Sequence, residues 1–150
     1  MKRILIAAFL YVLLGGFAFA QNGLITVKSA HDVQTTADRL EKVLQEKGMT
    51  VFARINHAKG ARKVGKQLLP TVLIIFGNPK IGTNLMQCNR TVAIDLPQKA
   101  LIWQDAKGDV WLTYNDPQFL MQRQHLEKCQ PTIKKIVSAL AAFAKAATQK

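Results

Sequence analysis

The chain has 150 residues, about the size of one domain, with 21 basic and 9 acidic side chains and a net charge of +12. That balance suits nucleic acid, an anionic membrane or an acidic partner. The basic residues are scattered along the chain and form no run, which is the pattern of a solvated surface and argues against a nucleic-acid binder.

The first segment reads as an address. Lys2 and Arg3 make a positive start, Ile4 to Phe17 is apolar apart from a glycine pair and Tyr11, and Ala18-Phe19-Ala20 puts small residues where a signal peptidase reads. Residues 1–20 are therefore expected to be a secretory signal peptide cleaved after Ala20. The protein is expected to be exported, to the bacterial periplasm or beyond. The apolar run is shorter than the roughly 18 to 20 residues of a spanning helix, and no Cys follows it to carry a lipid. No second long apolar run occurs, so no membrane span is expected after cleavage. The mature chain, residues 21–150, keeps 19 basic against 9 acidic side chains and can bury its own core. Outside the cytoplasm Cys88 and Cys129 are expected to pair. The loop closed, about 40 residues, would contribute roughly 3 to 4 kcal/mol in the chain-entropy account.

In chain order, "LITVK" (24–28) predicts a short strand. Ser29-Ala30-His31-Asp32 has the form of a capping box, and Val33, Ala37, Leu40 and Leu44 recur at helical spacing. Gly48 supplies the stop. "MTVFARI" (49–55) predicts a strand, and "NHAKGARKVGKQLLP" (56–70) a short helix or loop. "TVLIIF" (71–76) is a continuous apolar strand whose two faces should both be covered. "LMQCNRTVAIDLP" (85–97) reads as irregular, with one helical turn. "KALIWQD" and "DVWLTYN" flank Ala106-Lys107-Gly108, a hairpin turn with Gly where φ is positive. Pro117 opens a helix carrying "QFLMQRQHLEK". Pro131 opens another, whose apolar stripe is Ile133, Ile136, Val137, Leu140 and Ala144. The order predicts a single α+β domain over residues 21–150, with a mostly antiparallel sheet and helices packed on it. One sheet face is left partly open, for a ligand or a second copy.

Two stretches, "INHAKGARKVGKQLLPTVLIIFGNPKIGTNLM" (55–86) and "AIDLPQKALIWQDAKGDVWLTYNDP" (93–117), closely resemble the domain of unknown function 302 family. The His of "NHA", the "FGNPKIGT" turn, "DLP" and "YNDP" agree in order and spacing. The resemblance is strong over Asn56 to Pro117 and looser in the flanking helices. It implies a strand-helix-four-strand-helix fold of the TATA-binding-protein-like type, often a homodimer. It implies no reaction. Asn56 stands where the family usually has Asp before the His, which weakens any mechanism needing a carboxylate there. Cys88 and Cys129 look like a local addition.

Two constellations can carry chemistry. The first joins His57, Asn78, Lys80, Thr83 and Asp95, with Tyr114 near. Gly82-Thr83 is expected to open a helical turn whose N–H groups favour an anion. Lys80 would add charge, and His57 with Asp95 would form an acid–base pair. Ordinary turn chemistry explains the same Asn-Pro and Gly residues, and "GNPKIGT" lacks the spacing of a phosphate loop. The second joins Met121, His125 and Cys129 at i, i+4 and i+8. If the helix is continuous they share a face and offer donors for copper(I). A disulfide or plain packing competes for them. No serine, histidine and acid constellation stands out, which argues against a serine hydrolase: Ser29 reads as a cap and Ser138 lies in the last helix. Trp103 and Trp111 read as core or dimer-face residues. The expectation is a non-enzymatic, homodimeric binder of a small ligand, anionic by preference, with no cofactor.

Overall fold

Residues 23–150 are described by a computed structural model. The expected signal peptide, residues 1–20, lies outside the described residues. Five strands form one antiparallel sheet: β1 (Leu24–Ser29), β2 (Thr50–Asn56), β3 (Thr71–Gly77), β4 (Gln98–Gln104) and β5 (Val110–Asn115). Their spatial order is β1-β5-β4-β3-β2. The helices are α1 (Val33–Glu46), α2 (His57–Lys63), α3 (Pro79–Cys88), α4 (Pro117–Arg123) and α5 (Gln130–Thr148), with 3-10 turns at Arg90–Ile94 and Glu127–Cys129. This is the expected α+β class.

Strand register explains the core. Val27, Leu112, Ile102 and Val72 form one row across the sheet, and Ile25, Tyr114, Ala100 and Ile74 form the next. Side chains alternate along a strand, so both rows share a face. The stripe Val33, Ala37, Leu40 and Leu44 of α1 is buried against this core, as are Ile133, Ile136, Leu140 and Phe143 of α5. Each fully buried Leu or Ile contributes about 1.5–3 kcal/mol. β1 and β2 are the sheet edges, and α1 crosses the face between them.

The other face corrects one expectation. Val72, Ile74 and Phe76 of β3 are buried, but Leu73 and Ile75 are only half-buried, so the strand is fully covered on one side alone. The half-buried Leu101, Trp103 and Trp111 lie on this open face beside them. Trp103 Nε1 donates to Thr113 Oγ1 (3.0 Å) and Trp111 Nε1 donates to Asp105 Oδ2 (2.9 Å).

Local signals held or shifted for identifiable reasons. Gly48 ends α1 at φ +69° and Gly108 turns the β4–β5 hairpin at φ +86°, conformations that favour glycine. Ser29 is not the helix cap. It ends β1 and shares a buried hydrogen bond with Thr36 Oγ1 (2.7 Å), while Asp32 caps α1 by accepting from Thr35 N–H (2.8 Å). α4 stops at Arg123 and does not run to Lys128. His125 takes φ +52°, and Leu126 N–H closes the turn onto Met121 O (2.9 Å).

Cys88, at the end of α3, is bonded to Cys129, just before α5, with their Cα atoms 6.3 Å apart. The C-terminal end is pinned as well. Ala30 N–H donates to Thr148 O (2.8 Å), and Arg39 donates to Ala146 O (2.9 Å), Ala147 O (3.2 Å) and Gln149 O (2.8 Å).

Candidate functional site

The "GNPKIGT" stretch builds a helix start, not an anion nest. Asn78 Oδ1 accepts from Lys80 N–H (3.0 Å), and Asn78 O accepts from Ile81 N–H (3.0 Å) and Gly82 N–H (2.9 Å). Pro79 has no N–H to offer. α3 therefore begins at Pro79, and Gly82 and Thr83 lie inside it. The anion-binding turn expected at Gly82-Thr83 is thus corrected: the first donors of this helix are already paired. Asn78 Nδ2 also reaches Gly48 O (3.3 Å), tying the turn to the end of α1.

Beside α3 lies a groove of about 570 Å³. One wall is α3, through Ile81, Leu85 and Met86. The other is α5, through Ile136, Ala139, Leu140 and Phe143. Met49 and Phe52 also line it, as do Leu96, Pro97 and Gln98, which lead from the 3-10 turn into β4. The walls are almost wholly apolar. Among the lining residues Lys135 is the one charged group, exposed on α5, and none is acidic. Gln98 is 8% exposed, and its Oε1 is buried with no hydrogen-bond partner. The disulfide joins the ends of the two walls.

Of the expected cluster, Asn78, Lys80 and Thr83 come together on the first turns of α3, with Lys80 and Thr83 exposed. Asp95 follows the 3-10 turn, and its carboxylate is occupied. It accepts from Gln124 Nε2 and from Arg123 Nη1 (3.3 Å), fastening the turn to the end of α4. His57 is exposed at the start of α2, where Asn56 Oδ1 caps the helix through Lys59 N–H (2.8 Å). It sits at the opposite end of the sheet. Asn56 pairs with Val72 and Gln98 with Phe76, four strand steps or about 13 Å apart. His57 and Asp95 therefore form no direct acid–base pair. Tyr114 is buried in the core, where burial and the charge of Asp116 hold its phenol above the usual range.

The copper constellation is corrected as well. The break at His125 ends the helix that would have aligned Met121, His125 and Cys129, and Cys129 is held in the disulfide and so offers no thiolate. Among the described residues no group of three or more His, Cys, Asp or Glu side chains is placed to hold a metal ion.

The sequence profile described as "Domain of unknown function DUF302" matches residues 25–143. The chain belongs to the DUF302 family. A crystal structure of an uncharacterized conserved DUF302 protein from Bacillus stearothermophilus shares the fold, with a TM-score of 0.76 at 21% identity over 83% of this chain and 98% of that one. Sequence relatives include proteins named Fluoride-specific ion channel FluC 1 from Brucella suis biovar 1 (strain 1330) and Brucella abortus biovar 1 (strain 9-941). Each is 51% identical over 105 residues, which is 70% of this chain and 41% and 39% of theirs. The chain thus spans about two fifths of the length of the curated relatives it matches. No helix among the described residues of this DUF302 chain is long and apolar enough to cross a membrane.

Sequence reasoning about this DUF302 domain missed Gln98 and Lys135. A signal for Gln98 was present: it is in phase with Ala100 and Ile102, so the strand period puts a polar amide on the buried face. Lys135 gave none, since its place beside the groove depends on how α5 lies against α3.

Proposed function

We propose that this DUF302 chain is an exported, non-enzymatic binding domain whose groove between α3 and α5 takes a small ligand, anionic by preference. The groove carries the reading. Its volume of about 570 Å³ falls within the roughly 300–1,000 Å³ of small-molecule sites, and such sites are apolar with a few placed polar groups. A cationic rim without carboxylates, on a chain of net positive charge, favours an anionic group on the ligand. Thermal-shift screening of residues 21–150 against small organic anions tests it. An apolar anion is expected to raise the melting temperature, and Ala139→Trp, which fills the groove from α5, to remove the effect. If no compound moves the transition, the reading fails. Export is checked by N-terminal sequencing of the protein from a periplasmic fraction, with Gln21 expected first.

A second reading is favoured by the curated relatives. Proteins named as fluoride channels share 51% identity with this domain over 105 residues, and the rest of their length leaves room for a second domain. The chain then works beside a fluoride channel in the cell envelope. Fluoride efflux from liposomes holding such a channel, with and without the added domain, tests the idea; identical rates would remove it.

The open sheet face supports a homodimer. Leu73, Leu101, Trp103 and Trp111 give it a half-buried apolar centre, with Lys28 over the Trp111 ring, and apolar patches mark interaction sites.

A further inference from the structure

All nine acidic residues lie within residues 32–46 and 95–127, so residues 47–94 carry eight basic side chains and no carboxylate. Four of the eight gather on α2 and the loop that follows it. Ala58 is buried and Ala61 half-buried, and these two small residues seat α2 on the molecule. Gly65, at φ +72°, ends the helix, with Gly65 N–H donating to Arg62 O (3.2 Å) and Lys66 N–H to Ala61 O (3.0 Å). The far end is fixed too: Gln104 N–H donates to Pro70 O (3.0 Å) and Thr71 Oγ1 to Leu69 O (2.8 Å). Between these ties every residue from Arg62 to Pro70 is exposed. Val64 is 70% exposed, and Leu68 and Leu69 49% each. Lys59, Arg62, Lys63 and Lys66 stand among them, and among the described residues none of the four is in an ion pair. The carboxylates of the β4–β5 hairpin are engaged elsewhere, Asp105 with Trp111 (2.9 Å) and Asp109 with Lys28 (2.8 Å).

We propose that residues 57–69 dock the protein on an anionic phospholipid bilayer. Val64, Leu68 and Leu69 enter the headgroup boundary, and Lys59, Arg62, Lys63 and Lys66 meet lipid phosphates. Apolar area buried at such a surface and basic groups held near it both strengthen binding. Lys and Arg stems lie along the apolar part while their charges reach the phosphates. Charge selects this occupant. In a two-fold pairing of copies the same patch meets itself, which would set four cations against four. A nucleic-acid backbone offers Val64, Leu68 and Leu69 no apolar partner, and residues 57–69 hold no Phe, Tyr or Trp to stack on bases. Protein interfaces are depleted in Lys and enriched in aromatics and Arg, whereas this segment has three Lys, one Arg and aliphatic side chains. Docking leaves the groove in solution, since β3 runs from Thr71, beside the segment, to Gly77, which lines the groove, about 20 Å away. It does not depend on what the groove takes.

Flotation of residues 21–150, with the disulfide intact, on vesicles of phosphatidylcholine alone or with about one third phosphatidylglycerol tests this at about 0.15 M salt. Binding is expected on the mixed vesicles alone. Lys63→Gln with Lys66→Gln should weaken it about 25-fold, or roughly fivefold per charge. Leu68→Ser with Leu69→Ser should weaken it at least about tenfold. Lys134→Gln with Lys145→Gln removes the same charge from exposed sites of α5 and should weaken it less than about twofold. All these positions are exposed, so far-ultraviolet spectra should not change. The added indole of Leu68→Trp should shift its emission to the blue on the mixed vesicles. No binding to the mixed vesicles, equal binding to phosphatidylcholine, an equal loss from the α5 pair, or unshifted Leu68→Trp emission would overturn the proposal. A dimer that Leu68→Ser with Leu69→Ser turns into a monomer would give the patch to a second copy. Vesicle binding abolished by polyglutamate at matched charge would give it to an acidic protein. Either result overturns lipid docking as well.

Discussion

At the scale of single residues, the chain ties its charges down where the sequence suggested freedom. Asp95 looked like a general acid or a ligand group, yet both of its oxygens are committed to Arg123 and Gln124. Asp105 is bound as closely. It accepts from Trp111 Nε1 and from the N–H groups of Lys107 and Asp109 (2.9 and 3.0 Å). The Trp111 bond is the main cause that holds its carboxyl below the usual carboxylate range. A carboxyl whose folded value is lowered stabilises the fold fully above its unfolded value, about pH 4, and loses that effect as pH falls through the folded value. Trp111 fluorescence should therefore stay constant down to about pH 4 and change below it, with a midpoint under the ordinary carboxylate range. Asp105→Asn should abolish the transition. A midpoint at the ordinary value would show that the Trp111 bond is not formed in solution.

At the scale of elements, the legible parts were those set by local chemistry. Gly48 and Gly108 fixed two turns because positive φ strongly favours glycine, and the stripes of α1 and α5 were plain at helical period. The misread parts depended on neighbours. The helical turn expected to open at Gly82-Thr83 and the irregular stretch expected from Leu85 are in fact one helix, because Asn78 and Pro79 start α3 earlier and the core keeps Leu85. The helix after Pro117 looked continuous, since nothing in "QRQHLEK" announces a positive φ at His125. The groove was illegible because its walls are 50 residues apart and meet only in the fold. Their covalent link gives a sharp expectation at this scale. Cys88→Ser with Cys129→Ser should lower unfolding stability by roughly 3 to 4 kcal/mol, the loop-closure value, seen as a lower urea midpoint. A loss under about 1 kcal/mol would mean that the reduced chain already holds α3 and α5 together.

At the scale of the molecule, the asymmetry of the sheet leaves one face for the proposed pairing of two copies. One face is buried under α1 and α5, and the other presents Leu73, Leu101, Trp103 and Trp111. Sedimentation equilibrium on residues 21–150 should show a dimer at micromolar concentration, and Leu101→Lys should return it to a monomer without shifting the far-ultraviolet spectrum. A wild-type chain that stays monomeric up to about 100 µM would leave the open face without this role, since obligate pairs persist far below that. The family resemblance anticipated the fold, but it could not specify a ligand, because fold and function are set by different residues.

The pinned C-terminal end has a practical consequence. α5 carries Lys135 at one end and Thr148 at the other, about 20 Å away along the helix axis. Thr148 O is fixed beside Ala30, at the end of β1 opposite Leu24. A fluorophore, surface anchor or fused protein attached after Lys150 therefore leaves the molecule beside Ala30, about 7 Å along the helix beyond Phe143, the last α5 residue of the groove. One attached ahead of Leu24 emerges from the opposite end of β1.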